Sequence, residues 1–142
     1  MKRAFTLIEL LLAIVIFLGI LTAVIYNFDR FSDKARYYEA RDNLKTFLIN
    51  LKYQSAFRQK EFELTFDENY NMYSSLSDIY QLDMFTNDLK VLETSSTKIV
   101  FFLDGSVQES YIVTSSLDGT ITNTFIINVL GNVDIKNENS NQ

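Results

Sequence analysis

The chain has 142 residues and contains no His, no Cys and no Pro. A chain of this length folds into one modest domain beyond any membrane segment. The missing residue types exclude imidazole bases, nucleophilic cysteines, disulfides and zinc sites built from Cys or His. We therefore expect a protein that is not an enzyme and that needs no cofactor and no metal.

The net charge of −5 is unevenly divided along the sequence. Residues 1–60 carry ten Lys or Arg and five Asp or Glu, whereas residues 61–142 carry three and thirteen, which gives +5 and −10. A groove that binds single-stranded nucleic acid has to be positive. The acidic second half therefore predicts that nucleic acid is not a partner.

The first predicted element is an apolar run over residues 5–26, in which Glu9 is the single charged residue. A helix that spans a membrane needs about 20 mainly apolar residues, and this run provides them. A carboxylate in hydrocarbon is costly, so an intramembrane Glu9 is expected to serve a function and to have a cationic partner. Cleavage between Ala4 and Phe5 would create such a cation, the Phe5 ammonium, at the same membrane depth.

A short basic segment precedes the apolar run and leads into it as Lys2-Arg3-Ala4-Phe5-Thr6-Leu7-Ile8-Glu9. These residues resemble the class III leader of type IV pilins and type II secretion pseudopilins. The resemblance implies that residues 1–4 are a leader peptide and that an aspartyl prepilin peptidase cuts between Ala4 and Phe5 and N-methylates Phe5. It also implies that Glu9 pairs with the terminal amine of a neighbouring subunit during fibre assembly. The family usually has Gly where this chain has Ala4, which leaves open whether cleavage is slowed.

Two simpler interpretations of the apolar run compete with this one. A secretory signal peptide has an apolar core of about 7–15 residues followed by a small-residue cleavage site, and this run is longer and lacks such an exit. A plain membrane anchor fits the length of the run, but it gives no reason for a glutamate near its start.

The predicted location is the inner (cytoplasmic) membrane, crossed once by residues 5–28, with membrane lipid as a contact. The positive-inside rule would favour the opposite orientation, because more Lys and Arg follow the run than precede it. The leader resemblance nevertheless implies a cytoplasmic amino terminus, which the peptidase can reach, and an extracytoplasmic head.

An amphipathic helical stem is predicted over residues 29–60, where apolar residues recur at three- and four-residue spacing. Since no Pro or Gly interrupts residues 20–60, one helix is expected from about Thr6 to about Gln59. The alternatives are a coiled coil or two helices that break near Asn27.

A β-rich head is predicted over residues 61–136, because the period changes there from helical to alternating. Strands are expected at residues 62–66, 70–73, 98–103, 111–114, 121–129 and 133–135, with residues 89–93 between predicted loops. Asp104-Gly105 and Asp118-Gly119 are favoured tight-turn pairs. Residues 137–142 are polar and are expected to form a disordered tail. The predicted fold class is α+β, with a long amino-terminal helix and a small antiparallel β-sheet or sandwich.

The end of the head has a second resemblance. An aromatic strand, Ile99-Val100-Phe101-Phe102-Leu103, leads into a turn with Gly105, and Gly131-Asn132-Val133-Asp134-Ile135 follows two strands later. This pattern resembles the β-domain of the minor pseudopilin H family, although the Pro that usually stands beside the turn is absent.

The two resemblances imply a minor pseudopilin of a type II secretion system that supports protein export through a pilus-like fibre. Its implied partners are other pseudopilins or pilins, the prepilin peptidase and the inner-membrane assembly platform. A minor type IV pilin or a competence pseudopilin is the alternative within the same architecture. A singly anchored β-domain binding module without a fibre is the alternative from a different class.

Overall fold

A computed structural model describes residues 6–76 and 87–138 of the chain, without the side chains of Asp29, Arg30 and Glu138. Its elements are one long helix, α1, followed by seven strands. The chain divides into two compact units, Met1–Ala35 and Arg36–Gln142. Ala4 and Phe5 of the predicted processing site lie outside the described residues.

The helix α1, Leu7–Arg58, is a single element of 52 residues, as the absence of Pro and of a mid-stem Gly predicts. The alternative of a break near Asn27 is wrong, because α1 continues through Asn27 without interruption. The helix ends at Gln59, which has a left-handed backbone with φ of 51°. Lys60 N–H then bonds back to the Ser55 carbonyl at 3.2 Å, the six-to-one bond that closes a helix carboxyl end.

In the first unit, the apolar side chains of α1 are exposed along the whole predicted span, from Leu7 at 82% to Leu21 at 44%. The helix is long and apolar enough to cross a membrane by length and composition, with a mean hydropathy of 2.9 over its most apolar window. Burying this much apolar surface requires a bilayer or other apolar helices.

The second unit contains two antiparallel sheets. The strands are β1 (Phe62–Phe66), β2 (Met72–Ser74), β3 (Leu89–Thr94), β4 (Lys98–Phe101), β5 (Ser110–Ser116), β6 (Thr122–Ile127) and β7 (Val133–Glu138). One sheet has the order β2-β1-β4 and the other β3-β5-β6-β7. The predicted α+β class with an antiparallel head is confirmed.

The sequence placed most strands correctly but did not show how they divide between two sheets. The Asp104-Gly105 turn does not join β4 to β5 in one hairpin, since β4 pairs with β1 whereas β5 pairs with β3 and β6. The turn closes only an isolated bridge between Phe101 and Val107, after which Val107 N–H bonds to the Val129 carbonyl. The chain thus changes sheets at this turn.

The carboxyl-terminal strand is longer than predicted. Asn137 was expected to begin a disordered tail, but it pairs with Asn123 and lies in β7, which continues to Glu138. The reason is that the ladder with β6 satisfies backbone groups regardless of how polar the side chains are. Residues 139–142 of the predicted tail lie outside the described part of the chain.

One buried hydrophobic cluster joins α1 to both sheets within the second unit. The helix contributes the side of the stem that carries Tyr37, Leu44, Leu48 and Leu51, all fully buried. The sheets contribute alternate residues of each strand, as in β1, where burial alternates along the strand. This cluster fixes the head on the outer part of the stem.

Candidate functional site

The structure places Glu9 in the first turn of α1, where it caps the helix. Glu9 Oε2 accepts hydrogen bonds of 2.9 Å from both the backbone N–H and the hydroxyl of Thr6, and the Thr6 hydroxyl accepts from Glu9 N–H at 3.4 Å. This reciprocal arrangement is a capping box. The Thr-x-x-Glu spacing is the sequence signal for this box, which was not predicted from the sequence.

Within the described residues, no hydrogen bond is donated to the second oxygen of the same carboxylate, Oε1. Glu9 also belongs to neither of the ion pairs found among those residues. A carboxylate offers about four lone-pair sites. Glu9 can therefore cap its own helix through Oε2 and still receive a cation through Oε1.

The neighbours of Glu9 in the sequence are apolar and exposed. Ile8 and Leu10 are 75% and 58% exposed, so the carboxylate stands in an apolar helix surface. Once that surface is covered by lipid or by other helices, a carboxylate without a cation carries a large desolvation cost. The predicted partner, the Phe5 amine, stays a prediction, since Phe5 lies outside the described residues.

A second arrangement of interest holds the head to the stem around Lys52, which the sequence did not single out. Gly105 and Gly131 have φ of +78° and +70°, and a side-chain carbon at Gly131 would lie 2.8 Å from Lys52 Cδ. The Lys52 ammonium donates to Asn132 Oδ1 at 3.2 Å. Two turns from different parts of the head thus pack against the aliphatic part of one lysine side chain.

A buried polar group lies inside the cluster as well. The Tyr37 hydroxyl accepts a bond of 2.7 Å from the Asn123 amide and lies 3.2 Å from the Thr114 hydroxyl. All three residues are almost fully buried. Because a polar group in a core needs its partner, this contact specifies how the stem seats against β5 and β6.

Two turns of the head are held by aspartates. The Asp118 carboxylate accepts from the hydroxyl of Ser116 and from the N–H and hydroxyl of Thr120, and these bonds lower its pKa. Asp104 accepts from the side chain and N–H of Ser106, which lowers its pKa in the same way. These carboxylates stabilise the turns and are exposed to solvent.

The fold resembles solved structures of fibre subunits. The type IV minor pilin FimU of Pseudomonas aeruginosa strain PAO1 matches with a TM-score of 0.53 and 13% identity, over 75% of this chain and 92% of that one. The minor pseudopilin EpsH from the type 2 secretion system of Vibrio cholerae matches with a TM-score of 0.48 and 10% identity, over 74% and 97%.

No protein-family model and no curated protein matches the chain. At these low identities the likeness concerns the fold alone. The long amino-terminal helix followed by antiparallel sheets is common to this protein and to FimU. The protein therefore has the pilin-like α+β fold.

Proposed function

We propose that this protein is a minor subunit of a type IV pilus-like fibre, anchored in the membrane by the first part of α1 until it is assembled. The observation that carries the proposal is the exposed apolar surface of α1 over residues 7–28, in which Glu9 is the single charged residue. A fibre of parallel helices would bury that surface after extraction from lipid. The protein itself catalyses nothing.

In this proposal Glu9 sets the register between neighbouring subunits. The amine of Phe5, exposed by cleavage after Ala4 and then methylated, binds Glu9 of the next subunit. Leaving one member of a buried pair alone typically costs about 3–5 kcal/mol, so a wrong stagger is strongly disfavoured. The cap formed with Thr6 supports this role, because it uses Oε2 and no other described residue donates to Oε1.

The finer assignment is a pseudopilin of a type II secretion system, supported by the leader and by the resemblance of roughly residues 90–136 to the pseudopilin H family. The head is then extracytoplasmic and the amino terminus cytoplasmic. A minor type IV pilin would be processed and assembled in the same way, but it would belong to a type IV pilus rather than to a secretion system. Genes for a secretin and a secretion ATPase beside this gene would favour the first, and pilus or DNA-uptake genes the second.

Processing is tested by intact mass after coexpression with a prepilin peptidase. The expected product begins at methylated Phe5, and Ala4→Leu is expected to block the cut through bulk at the scissile bond. If Met1 is retained while a known prepilin is cut in the same cells, the fibre proposal fails and a plain membrane anchor remains.

Glu9 has two candidate roles, capping and pairing, and Thr6 separates them. Thr6→Ala removes the hydroxyl half of the capping box but keeps the carboxylate and its bond from the residue 6 backbone N–H, whereas Glu9→Val removes both functions. We expect insertion and cleavage to survive in each variant, because Val only makes the span more apolar. Secretion or piliation is expected to fail in Glu9→Val, to persist in Thr6→Ala and to persist in part in Glu9→Asp. Equal loss in Thr6→Ala and Glu9→Val would mean that Glu9 acts only as a cap.

A further inference from the structure

One flank of the outer stem is basic. Arg41, Lys45 and Lys52 follow each other at spacings of four and seven residues, which aligns them on one side of α1. Tyr38 and Tyr53 lie beside them and are 43% and 63% exposed. We call this surface, formed by Tyr38, Arg41, Lys45, Lys52 and Tyr53, the stem flank.

The aromatic and basic side chains of the stem flank are arranged in pairs. The Arg41 guanidinium lies 4.9 Å from the centre of the Tyr38 ring, and the Lys52 ammonium 5.9 Å from that of Tyr53. Arg41 also pairs with Asp42 at 2.7 Å, but Lys45 and Lys52 pair with no carboxylate in the described part of the chain. Tyrosine and arginine are the residue types that dominate binding hot spots.

A concave surface of opposite character lies on the outer face of the larger sheet. An open concavity of 330 Å³ is lined by Ser95, Glu109, Ser110, Tyr111, Thr124 and Ile126. Tyr111 is paired with Ile126, so the two side chains are neighbours on one face of the sheet. We call this surface the sheet face.

Acidic groups surround the concavity. Glu109 lines it, Asp134 of β7 stands opposite Ile126, and the Tyr111 hydroxyl donates to Glu93 Oε1 at 2.6 Å. One basic residue, Lys136, occupies the next row of β7, opposite Thr124. The sheet face therefore combines an apolar and hydroxyl-rich floor with a net negative rim.

We propose that the stem flank of one copy of this chain docks on the sheet face of a second copy. The match is between an aromatic and positively charged helix flank and a concave, aromatic and negatively charged face. Because the two surfaces differ, the contact is heterologous, so it does not close into a symmetric pair and can link two copies that are neighbours in a fibre. The inference rests on the proposed function and names a contact between its subunits.

Steering by opposite charges would act before the close contacts form, and raised ionic strength would weaken it. We expect Lys45 to contribute most to this attraction, since it is partly exposed and forms no ion pair with a carboxylate among the described residues. We expect Lys52 to contribute less to the attraction, because its ammonium already donates a hydrogen bond to Asn132 Oδ1.

Crosslinking of full-length chains in membranes tests the contact, and the absence of native cysteine makes each introduced thiol unique. One chain carries Asp42→Cys on the stem and the other, with a different tag, carries Val113→Cys on the sheet face. A short bismaleimide reagent is expected to give the mixed stem-to-head product. A product from two Asp42→Cys chains alone, with no mixed product, would overturn the heterologous geometry.

Charge reversal makes the test specific. Arg41→Glu with Lys45→Glu in the stem chain is expected to lower the mixed product about fivefold, within the range of a few exposed ion pairs. Glu109→Lys with Asp134→Lys in the head chain is expected to do the same, and the two reversed chains together are expected to restore the product. The matched controls, Arg36→Glu with Arg58→Glu on the other flank and Glu61→Lys with Glu68→Lys on the head, are expected to leave the yield unchanged.

The outcomes also separate this inference from the proposed function. The contact alone would be overturned if fibres were normal and Phe5 were processed, but the yield of the mixed crosslinked product did not respond to charge reversal in the stem or in the head. An uncut terminus with a charge-dependent mixed product would overturn the fibre and keep the contact. Lipid binding would replace the contact as the explanation under two conditions. The loss of mixed product in the stem-reversed chain would not be restored by the head reversal, and omitting anionic lipid would cause the same loss.

Discussion

Three glycines with positive φ allow the cost of a side chain to be separated into backbone strain and crowding. Gly105, Gly119 and Gly131 all occupy tight turns of the head, with φ of +78°, +73° and +70°. Their surroundings differ. A side-chain carbon at Gly119 would meet nothing within 4 Å, and one at Gly105 would lie 3.4 Å from Ala56 Cβ, an ordinary contact. At Gly131 it would lie 2.8 Å from Lys52 Cδ and 3.0 Å from the Gly105 carbonyl oxygen.

The expected order of destabilisation follows from these distances. An alanine in the left-handed region costs about 1–2 kcal/mol at any of the three positions. Overpacking typically costs about 1–3 kcal/mol more, and only Gly131→Ala incurs it. The aliphatic part of the Lys52 side chain can move, but the backbone oxygen of Gly105 cannot move without disturbing its own turn. We therefore expect losses of about 1–2 kcal/mol for Gly119→Ala and Gly105→Ala and about 2–5 kcal/mol for Gly131→Ala.

Urea unfolding of the full chain in mild detergent, followed by the β-sheet signal in circular dichroism, measures these losses. With a slope of about 1–3 kcal/mol per molar urea, the midpoint of Gly131→Ala should fall about 1 M below that of Gly119→Ala. Lys52→Ala in the Gly131→Ala background should recover only part of the difference, since the carbonyl contact remains. Equal midpoints for the three alanine variants would refute the reasoning, because crowding at Lys52 would then contribute nothing.

Three further predictions concern the second unit. Tyr37→Phe removes the acceptor of the Asn123 amide and should cost about 1–3 kcal/mol in the same unfolding assay, whereas the same change at an exposed tyrosine should be nearly neutral. A chain that begins at Asp29 should be folded and soluble without detergent, because the buried cluster lies entirely in the unit from Arg36 onward; loss of the strand signal would contradict this. The lowered pKa of Asp118 should contribute stability above the ordinary Asp value of 3.8 and lose it as the pH falls through the lower folded value, so the midpoint temperature should drop on acidification, and less so in Asp118→Asn.

The sequence predicted those features that local patterns encode. The helix needed only an uninterrupted run without Pro or Gly, and its bounds were expected within one residue of Leu7 and Arg58. The strand at Phe62–Phe66 needed only alternation, and the turn at Asp118-Gly119 only its residue types. Each of these signals lies within a few residues of the structure that it predicts.

The features that the sequence missed depend on residues that are far apart in the chain. The division of β4 and β5 between two sheets is decided by pairing with β1 and β3, which no local pattern encodes. No local pattern marks Lys52 as a contact of the head, because Gly131 and Asn132 lie about 80 residues away. The end of the helix near Gln59 was predicted, but its left-handed backbone was not, since glutamine is uncommon in that conformation where glycine is usual.

Glu9 shows how one residue can satisfy two requirements at different stages. In the separate chain the capping box with Thr6 gives the carboxylate two donors, which lowers the cost of holding it near the start of an apolar helix. In the proposed fibre, Oε1, to which no described residue donates, offers a site to a neighbour's amine, so the cap need not break for the pair to form. A glutamate that was bonded through both oxygens would have to give up one partner before it could gain another. In the proposed function, a carboxylate that caps its helix through one oxygen therefore suits both the membrane-inserted chain and the assembled fibre, and Thr6→Ala set against Glu9→Val measures how much each stage depends on it.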